Sequence, residues 1–355
     1  CEQQARAQRT RPSPLTTEGI GTSIVRCLSV LPLYISQVGT GLGSLVANSR
    51  TLDDERGAER GIMVERETLR VAGASGSIGY SAALALATRG ARVVLLGRKA
   101  EKLSSRADSI RDALTGGCVD QGTDIATLVI DFSDMDSVRG AAEEALKRFP
   151  AIDGLVLSVG ALIQGGPTVL PSGHEVMFAT NVLGPFLFTN LLIDRMQQSD
   201  GIVLHVIAPF HEAIDWEDLE SLKVRRPMKA FNRTKECNRI MAGELARRYA
   251  GRISSVAFDP TFVLDKSDPE LKNRWPSGFA GLVWRMMATF RAKPPEVAGE
   301  PLAELMLSNR DRGSINGALF VLDERSDKGD EAMNDEAEGK RLWDRLELLT
   351  APSPR

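Results

Sequence analysis

The run Gly73-Ala-Ser-Gly76-Ser-Ile-Gly79 is where the residue types of this chain point most directly to chemistry. Glycine at every third position lets backbone N–H groups close on an anion, because a Cβ there would block the approach. Set between an apolar strand and a helix, Gly73, Ser75, Gly76, Ser77, Ile78 and Gly79 read as the pyrophosphate turn of a dinucleotide site. At the end of the next apolar run, where an acidic side chain would hold the ribose 2′-hydroxyl of NAD, stands Gly97-Arg98-Lys99. The Arg98 guanidinium suits a 2′-phosphate by bidentate contact, so NADP(H) is expected ahead of NAD(H); the competing reading is a solvated basic pair opening a helix. Asp131, closing the third run, either accepts a hydrogen bond from the adenine amino group or caps the helix that begins near Ser133.

Other chemistries find little support. Cys1, Cys27, Cys118 and Cys237 are scattered, with no Cys-x-x-Cys pair and no grouping with His174, His205 or His211, so no metal site is expected. With 44 basic against 47 acidic side chains, the formal charge of −3 gives no general electrostatic reason to expect nucleic acid as a partner. A length of 355 residues with 43% hydrophobic content is enough for a substantial buried core.

The elements that must position the turn alternate. Strands are predicted over Leu69–Gly73, Ala91–Leu96, Thr127–Phe132, Ile152–Ser158, Gly201–Ala208, Arg252–Phe258 and Ala318–Leu322. Helices are predicted over Ile78–Arg89, Lys99–Leu114, Met135–Arg148, Gly173–Met196 and Lys229–Tyr249. This alternation implies an α/β fold with a doubly wound parallel sheet. Asp323–Glu338 reads mostly as a solvated loop, and Glu338–Leu349 as a C-terminal helix.

The first 66 residues read as an arm and linker, 67–349 as the Rossmann domain, and 350–355 as a tail. Residues 1–50 hold five arginines against only Glu2 and Glu18, which resembles the remains of a leader addressed to an organelle, plastid or mitochondrion; a plain basic arm is the alternative. Between Ile20 and Val46, apolar residues recur at alternating steps of four and three, interrupted by Pro32, Gly39, Gly41 and Gly43. An amphipathic helical extension in two pieces is expected, facing its own domain, a partner protein or a membrane surface.

Further motifs carry a family resemblance. Beside the glycine turn stand Asp131-Phe-Ser-Asp-Met-Asp-Ser-Val-Arg139, Asn181-Val-Leu-Gly-Pro-Phe-Leu-Phe-Thr-Asn-Leu-Leu192 and Trp216-Glu-Asp-Leu219. Lys235-Glu-Cys-Asn238 and Gly243-Glu-Leu-Ala-Arg-Arg248 complete the set. Over about Leu69 to Leu349 the chain resembles the short-chain dehydrogenase/reductase (SDR) superfamily, in particular its retinol dehydrogenase-like group. The resemblance implies reduction or oxidation of lipophilic carbonyls and alcohols with NADP(H), often on a membrane. It also implies cofactor contacts from Asp131, Phe132, Gly160, Lys235 and Pro260, and a homodimer is possible by the same analogy.

The family's chemistry uses Asn, Ser, Tyr and Lys: tyrosine exchanges the proton, serine holds the substrate oxygen, lysine binds the nicotinamide ribose and asparagine supports a water relay. Asn181 and Lys235 match. The tyrosine position is Phe231, the serine position falls in Val206-Ile207-Ala208, and no Ser, Thr or Tyr occurs between Ser199 and Ser221. The family's Asn-Asn-Ala-Gly reads Leu157-Ser-Val-Gly160, and its Pro-Gly reads Pro260-Thr261. Phe178, Pro209, Phe210 and the region Phe262–Phe290 are the candidate pocket lining.

Three functions follow from this pattern. The first is a dinucleotide-binding protein with impaired catalysis, an accessory or scaffold subunit of a membrane-associated organellar assembly reached through residues 20–46. The second is an active reductase of a lipophilic carbonyl using a non-standard proton donor, His205, His211, Lys235 or bound water, since histidine is a competent acid near neutral pH. The third is a fold that acts only through its surface.

Overall fold

The computed structural model describes residues 67–115, 124–266, 278–308, 312–326 and 330–352. The N-terminal arm and the helical extension at 20–46 lie outside the described residues. Among those described, eight strands form one sheet in the order β3-β2-β1-β4-β5-β6-β7-β8. They are β1 (Thr68–Ala72), β2 (Arg92–Gly97), β3 (Ile125–Val129), β4 (Gly154–Leu157), β5 (Ile202–Val206), β6 (Ser254–Asp259), β7 (Leu319–Val321) and β8 (Glu324–Arg325). Every pairing from β3 to β7 is parallel; β8 turns back antiparallel on β7. The order reverses at β1, with β2 on one side and β4 on the other, so the crevice at the carboxyl ends of β1 and β4 is the switch point where such sheets bind ligands.

The helices cover both faces: α1 (Ser77–Thr88), α2 (Ala100–Thr115), α3 (Met135–Arg148), α4 (Val176–Gln197), α5 (Pro227–Arg248), α6 (Gly278–Phe290), α7 (Glu296–Leu307), α8 (Arg312–Ile315), α9 (Glu331–Asn334) and α10 (Glu336–Thr350). Local chemistry sets their ends. The Asp134 side chain accepts from Asp136 N at the start of α3, and Lys147 and Arg148 sit in its last turn, where cations suit the helix dipole. Pro227 opens α5, where its missing N–H costs nothing. The period-two alternation of strands buried on both faces divides the core in two. Leu155, Leu157 and Val203 pack with α3, α4, α5 and α10; Val156, Leu204 and Val206 pack with α1, α2 and α7.

Helix α4 is long and apolar enough to cross a membrane, but it is a core helix, with Phe178, Leu183, Phe188 and Leu192 buried. A Cβ on Gly184 would collide with the Phe132 carbonyl oxygen, so glycine there lets α4 pass directly over the end of the third strand. Near its start, Ala179–Leu183 forms a π turn that displaces Asn181 from regular helix.

Most predicted strands and helices stand within a few residues of their expected bounds. The stretch Asp323–Glu338 does not, because it contains β8, α9 and the first turn of α10. Asp330 accounts for the order: its Oδ1 accepts from the N–H groups of Ala332 and Met333, and its Oδ2 takes 2.5 Å from the buried guanidinium of Arg239. The tail expected from 350 begins later, since Thr350 is buried, closes α10, and accepts at its carbonyl from Arg139. Trp343 of α10 is buried edge-on against Phe186, 5.0 Å between centroids. The Trp216 motif docks on the same helix, its indole N–H on Glu338 at 3.0 Å and its ring under the Arg341 guanidinium.

Candidate active site

The carboxyl ends of the first strands converge as a phosphate site requires. Gly73 has φ +77°, a left-handed conformation that favours glycine, and Ala74 N donates to Leu96 O, pinning the turn to the end of β2. A Cβ on Gly79 would stand 2.5 Å from Gly73 O and 2.7 Å from Ser158 Oγ, so the first turn of α1 can nestle here only without a side chain. Gly76 is the N-cap of α1 and makes no side-chain cap bond, and the first turn carries no acidic residue. The helix end is therefore free of a competing carboxylate, as pyrophosphate binding demands. These features fit a dinucleotide. Ser75 Oγ lies 3.5 Å from where a Gly97 Cβ would be, and Arg98 follows, exposed, beside the turn.

Asp131 Oδ1 accepts from both the N–H and the hydroxyl of Ser133, and the helix is capped by Asp134 rather than by Asp131. The Phe132 ring is buried edge-on against Phe188, which leaves only its backbone to face a ligand.

Lys235 is buried under the ends of β4 and β5, and its Nζ donates to the carbonyls of Val159 (2.8 Å) and Val206 (2.9 Å). Burial pushes this ammonium down to about 8. The Phe231 ring, one turn earlier on α5, lies 5.8 Å from Nζ, and a Cβ on Gly160 would sit within 3.7 Å of both residues. Gly160, Phe231 and Lys235 thus meet, as the motif spacing demands, but the ring edge facing the crevice carries no hydroxyl.

Asn181 is fully engaged. Its Oδ1 accepts from Ala161 N at 2.7 Å, and its Nδ2 donates to Ala161 O and to Thr234 Oγ1. The amide clamps the loop after β4 to α5.

The segment Val206-Ile207-Ala208 is buried, and the Ala208 carbonyl is occupied by Arg239 at 2.7 Å. His205 points away from the crevice, into the core between the sheet and α4, α5 and α10, beside Leu157, Phe186 and Trp343. Its Nε2 is buried with no hydrogen-bond partner; burial first, and the Lys235 charge second, hold its pKa down at about 3. His205 is therefore a neutral core side chain. His211 is mostly exposed and pairs with Glu236 at 3.4 Å, which raises its pKa.

Three further residues shape the site. Ser158 Oγ donates to Ala72 O at 2.5 Å and braces the glycine turn from β4. Thr234 anchors Asn181; its place directly before Lys235 was the available signal. Thr261 has φ +63°, and its hydroxyl is buried without a partner. A β-branched residue in that region is strained, which is what Thr at a Pro-Gly position foretells. Of the candidate lining, Pro209 and Phe210 border the crevice loop, with Phe210 exposed, while Phe178 is buried core. Among the described residues no group of three or more His, Cys, Asp or Glu side chains could hold a metal.

Comparison with known proteins agrees with this geometry. A family model for short chain dehydrogenases matches residues 67–209. Retinol dehydrogenase 14 of Mus musculus is 30% identical over 209 residues, covering 57% of this chain and 62% of its own length. The chain thus spans under two thirds of that relative. Retinol dehydrogenase 13 of Homo sapiens is 28% identical over 300 residues, covering 81% of this chain and 87% of its own. The described domain has the Rossmann-like fold of short chain dehydrogenases, and the chain is similar in sequence to retinol dehydrogenases. A short chain dehydrogenase from Shigella flexneri, solved in complex with NADP, shares the fold at a TM-score of 0.54, with 21% identity over 73% of this chain and 97% of that one. An SDR fold with an intact glycine turn is a dinucleotide-binding fold, and in this chain Gly73, Gly76 and Gly79 supply the turn.

Proposed function

We propose that this SDR protein binds NADP(H) without ordinary dehydrogenase activity and serves as an accessory or scaffold subunit of a membrane-associated assembly in an organelle, plastid or mitochondrion. The observation that carries the reading is Phe231. Its ring stands against Gly160 beside Lys235, where the family places its proton-exchanging hydroxyl, and the Val206–Ala208 segment offers no hydroxyl in compensation. Acid–base catalysis of this kind supplies about 10²- to 10⁴-fold. When bound, the cofactor would supply a hydride; the chain's own residues would hold its pyrophosphate at Gly73–Gly79, its 2′-phosphate at Arg98 and its nicotinamide ribose at Lys235. Arg98 in place of an acidic residue supports NADP(H) over NAD(H). The assembly contact is assigned to residues 20–46, and homodimerisation is an alternative use of the surface. NADPH titration of the full chain tests binding. Co-purification with a large membrane assembly, lost on deletion of residues 1–50, tests the accessory role, and a monomer indifferent to that deletion counts against it.

One observation favours a second reading, an active reductase of a lipophilic carbonyl. Lys235, held at about 8, has an ammonium acidic enough to deliver a proton from Nζ to a carbonyl oxygen as it accepts a hydride. His205, neutral in the core, is not the donor in this version. Turnover that declines as pH rises through about 8, and disappears in Lys235→Ala while NADPH still binds, supports this reading over the first.

A further inference from the structure

Helix α6 carries Leu282, Met286 and Phe290 at successive steps of four, and all three side chains face solvent, at 53%, 57% and 82% exposure. They are three of the eight large apolar side chains exposed among the described residues, and the only ones aligned on a single helix face. Helices of a globular domain normally turn such a stripe inward, and on α6 the inward face is already occupied by Gly281 and Ala288. The outer stripe is thus additional to the face that packs.

The charge around it is specific. The α6 sequence contains no acidic residue and includes Arg285; exposed Arg291 and Lys293 follow its last turn, and exposed Lys266 reaches back to the Thr289 carbonyl at 3.4 Å. Among the described residues from 265 to 296 four cations, Lys266, Arg285, Arg291 and Lys293, stand against the two carboxylates Asp265 and Glu296, on a protein whose overall charge is −3. A convex apolar stripe with a basic border, on an otherwise acidic molecule, matches an anionic lipid surface: the cations meet headgroups while the apolar side chains enter the acyl boundary.

We propose that α6 docks on anionic membrane surfaces through Leu282, Met286 and Phe290, with Lys266, Arg291 and Lys293 on the headgroups. The loop Pro260–Lys266 joins this patch to the carboxyl end of β6, the same end of the sheet that bears the glycine turn and Lys235. The inference extends the membrane association proposed above from the N-terminal arm to the Rossmann body, and it stands or falls independently of dinucleotide binding.

Oxidation of Met286 in the full-length protein tests it, because a thioether buried in lipid is shielded from added hydrogen peroxide. Sulfoxide formation at Met286, read by mass spectrometry, is expected to slow about tenfold with phosphatidylcholine vesicles containing phosphatidylserine and to be unchanged with phosphatidylcholine alone. Arg291→Gln with Lys293→Gln should weaken vesicle binding about 25-fold, at about fivefold for each cation, with NADPH binding intact as the check on folding. An oxidation rate indifferent to anionic vesicles overturns the proposal, as does protection of Met286 by those vesicles that survives Leu282→Ser with Phe290→Ser. Protection that rises with protein concentration in the absence of vesicles also overturns it, and assigns the stripe to a second copy of the chain.

Discussion

The two ends of the crevice at the carboxyl ends of β1 and β4 differ in what builds them. At the phosphate end, the Gly73–Gly79 turn, its brace to Leu96 and the uncapped start of α1 are all backbone features, and all are in place. At the other end the elements are equally in place, and Asn181 and Lys235 keep the family's identities, but Phe231 stands beside Lys235 where the resemblance implies a tyrosine, Ala208 lies where it implies a serine, and Thr261 is strained. The difference teaches that binding and proton transfer rest on separable foundations. A βαβ unit with glycine at three positions is sufficient for an anion, whereas acid–base chemistry needs a particular hydroxyl at a particular atom.

The contrast can be broken most forcefully by restoring what is missing. Phe231→Tyr with Ala208→Ser should raise NADPH-dependent turnover of lipophilic carbonyls by about 10²-fold over the natural chain, measured by NADPH absorbance. No gain would mean that the pocket, and not only the hydroxyls, has diverged.

His205 sharpens the contrast from the core side. Its folded pKa is about 3 against 6.5 for the free side chain, so its contribution to stability is present above pH 6.5 and is lost as pH falls from there toward 3. By about pH 5 the loss should reach about 2 kcal/mol, and in His205→Gln the acid limb of a denaturation series should flatten by that amount. An unchanged limb would mean that the imidazole reaches solvent.

Arg98→Ala should weaken NADPH by about tenfold in a fluorescence titration while leaving NADH unchanged, since only the 2′-phosphate contact is removed. Equal losses for both would assign Arg98 to the turn rather than to the phosphate. The smallest effect belongs to Thr261→Gly, which relieves a left-handed φ at a β-branched residue and should stabilise the fold by about 1 kcal/mol in a denaturant melt.

How much of this could be read beforehand follows the same division. The strands of the sheet announce themselves because residues buried on both faces form short apolar runs between turn signals, and the glycine turn because its spacing is a steric requirement. The absence of hydroxyls at Phe231 and at Val206–Ala208 was equally legible, being a matter of residue identity. Three-dimensional partners were not. Nothing in the sequence around Asp330 marks it as the acceptor of Arg239, ninety-one residues earlier, so an ordered segment reads as an acidic loop. The face that His205 presents depends on strand phase, and one residue of shift moves a histidine from crevice to core. Helices α6 and α7 are not legible in the sequence because α6 is apolar on more than one face, which blurs its period, and α7 contains Pro301.

The central claim, binding without ordinary turnover, is tested most directly by following NADPH with the purified full chain in a panel of lipophilic aldehydes and ketones, with NADPH binding measured in the same preparation and Lys235→Ala as control. Saturable NADPH binding with no consumption above the control is the expected result. Consumption that saturates with substrate and vanishes in Lys235→Ala would contradict the claim and establish a reductase whose proton comes from Lys235 or from a group that it positions.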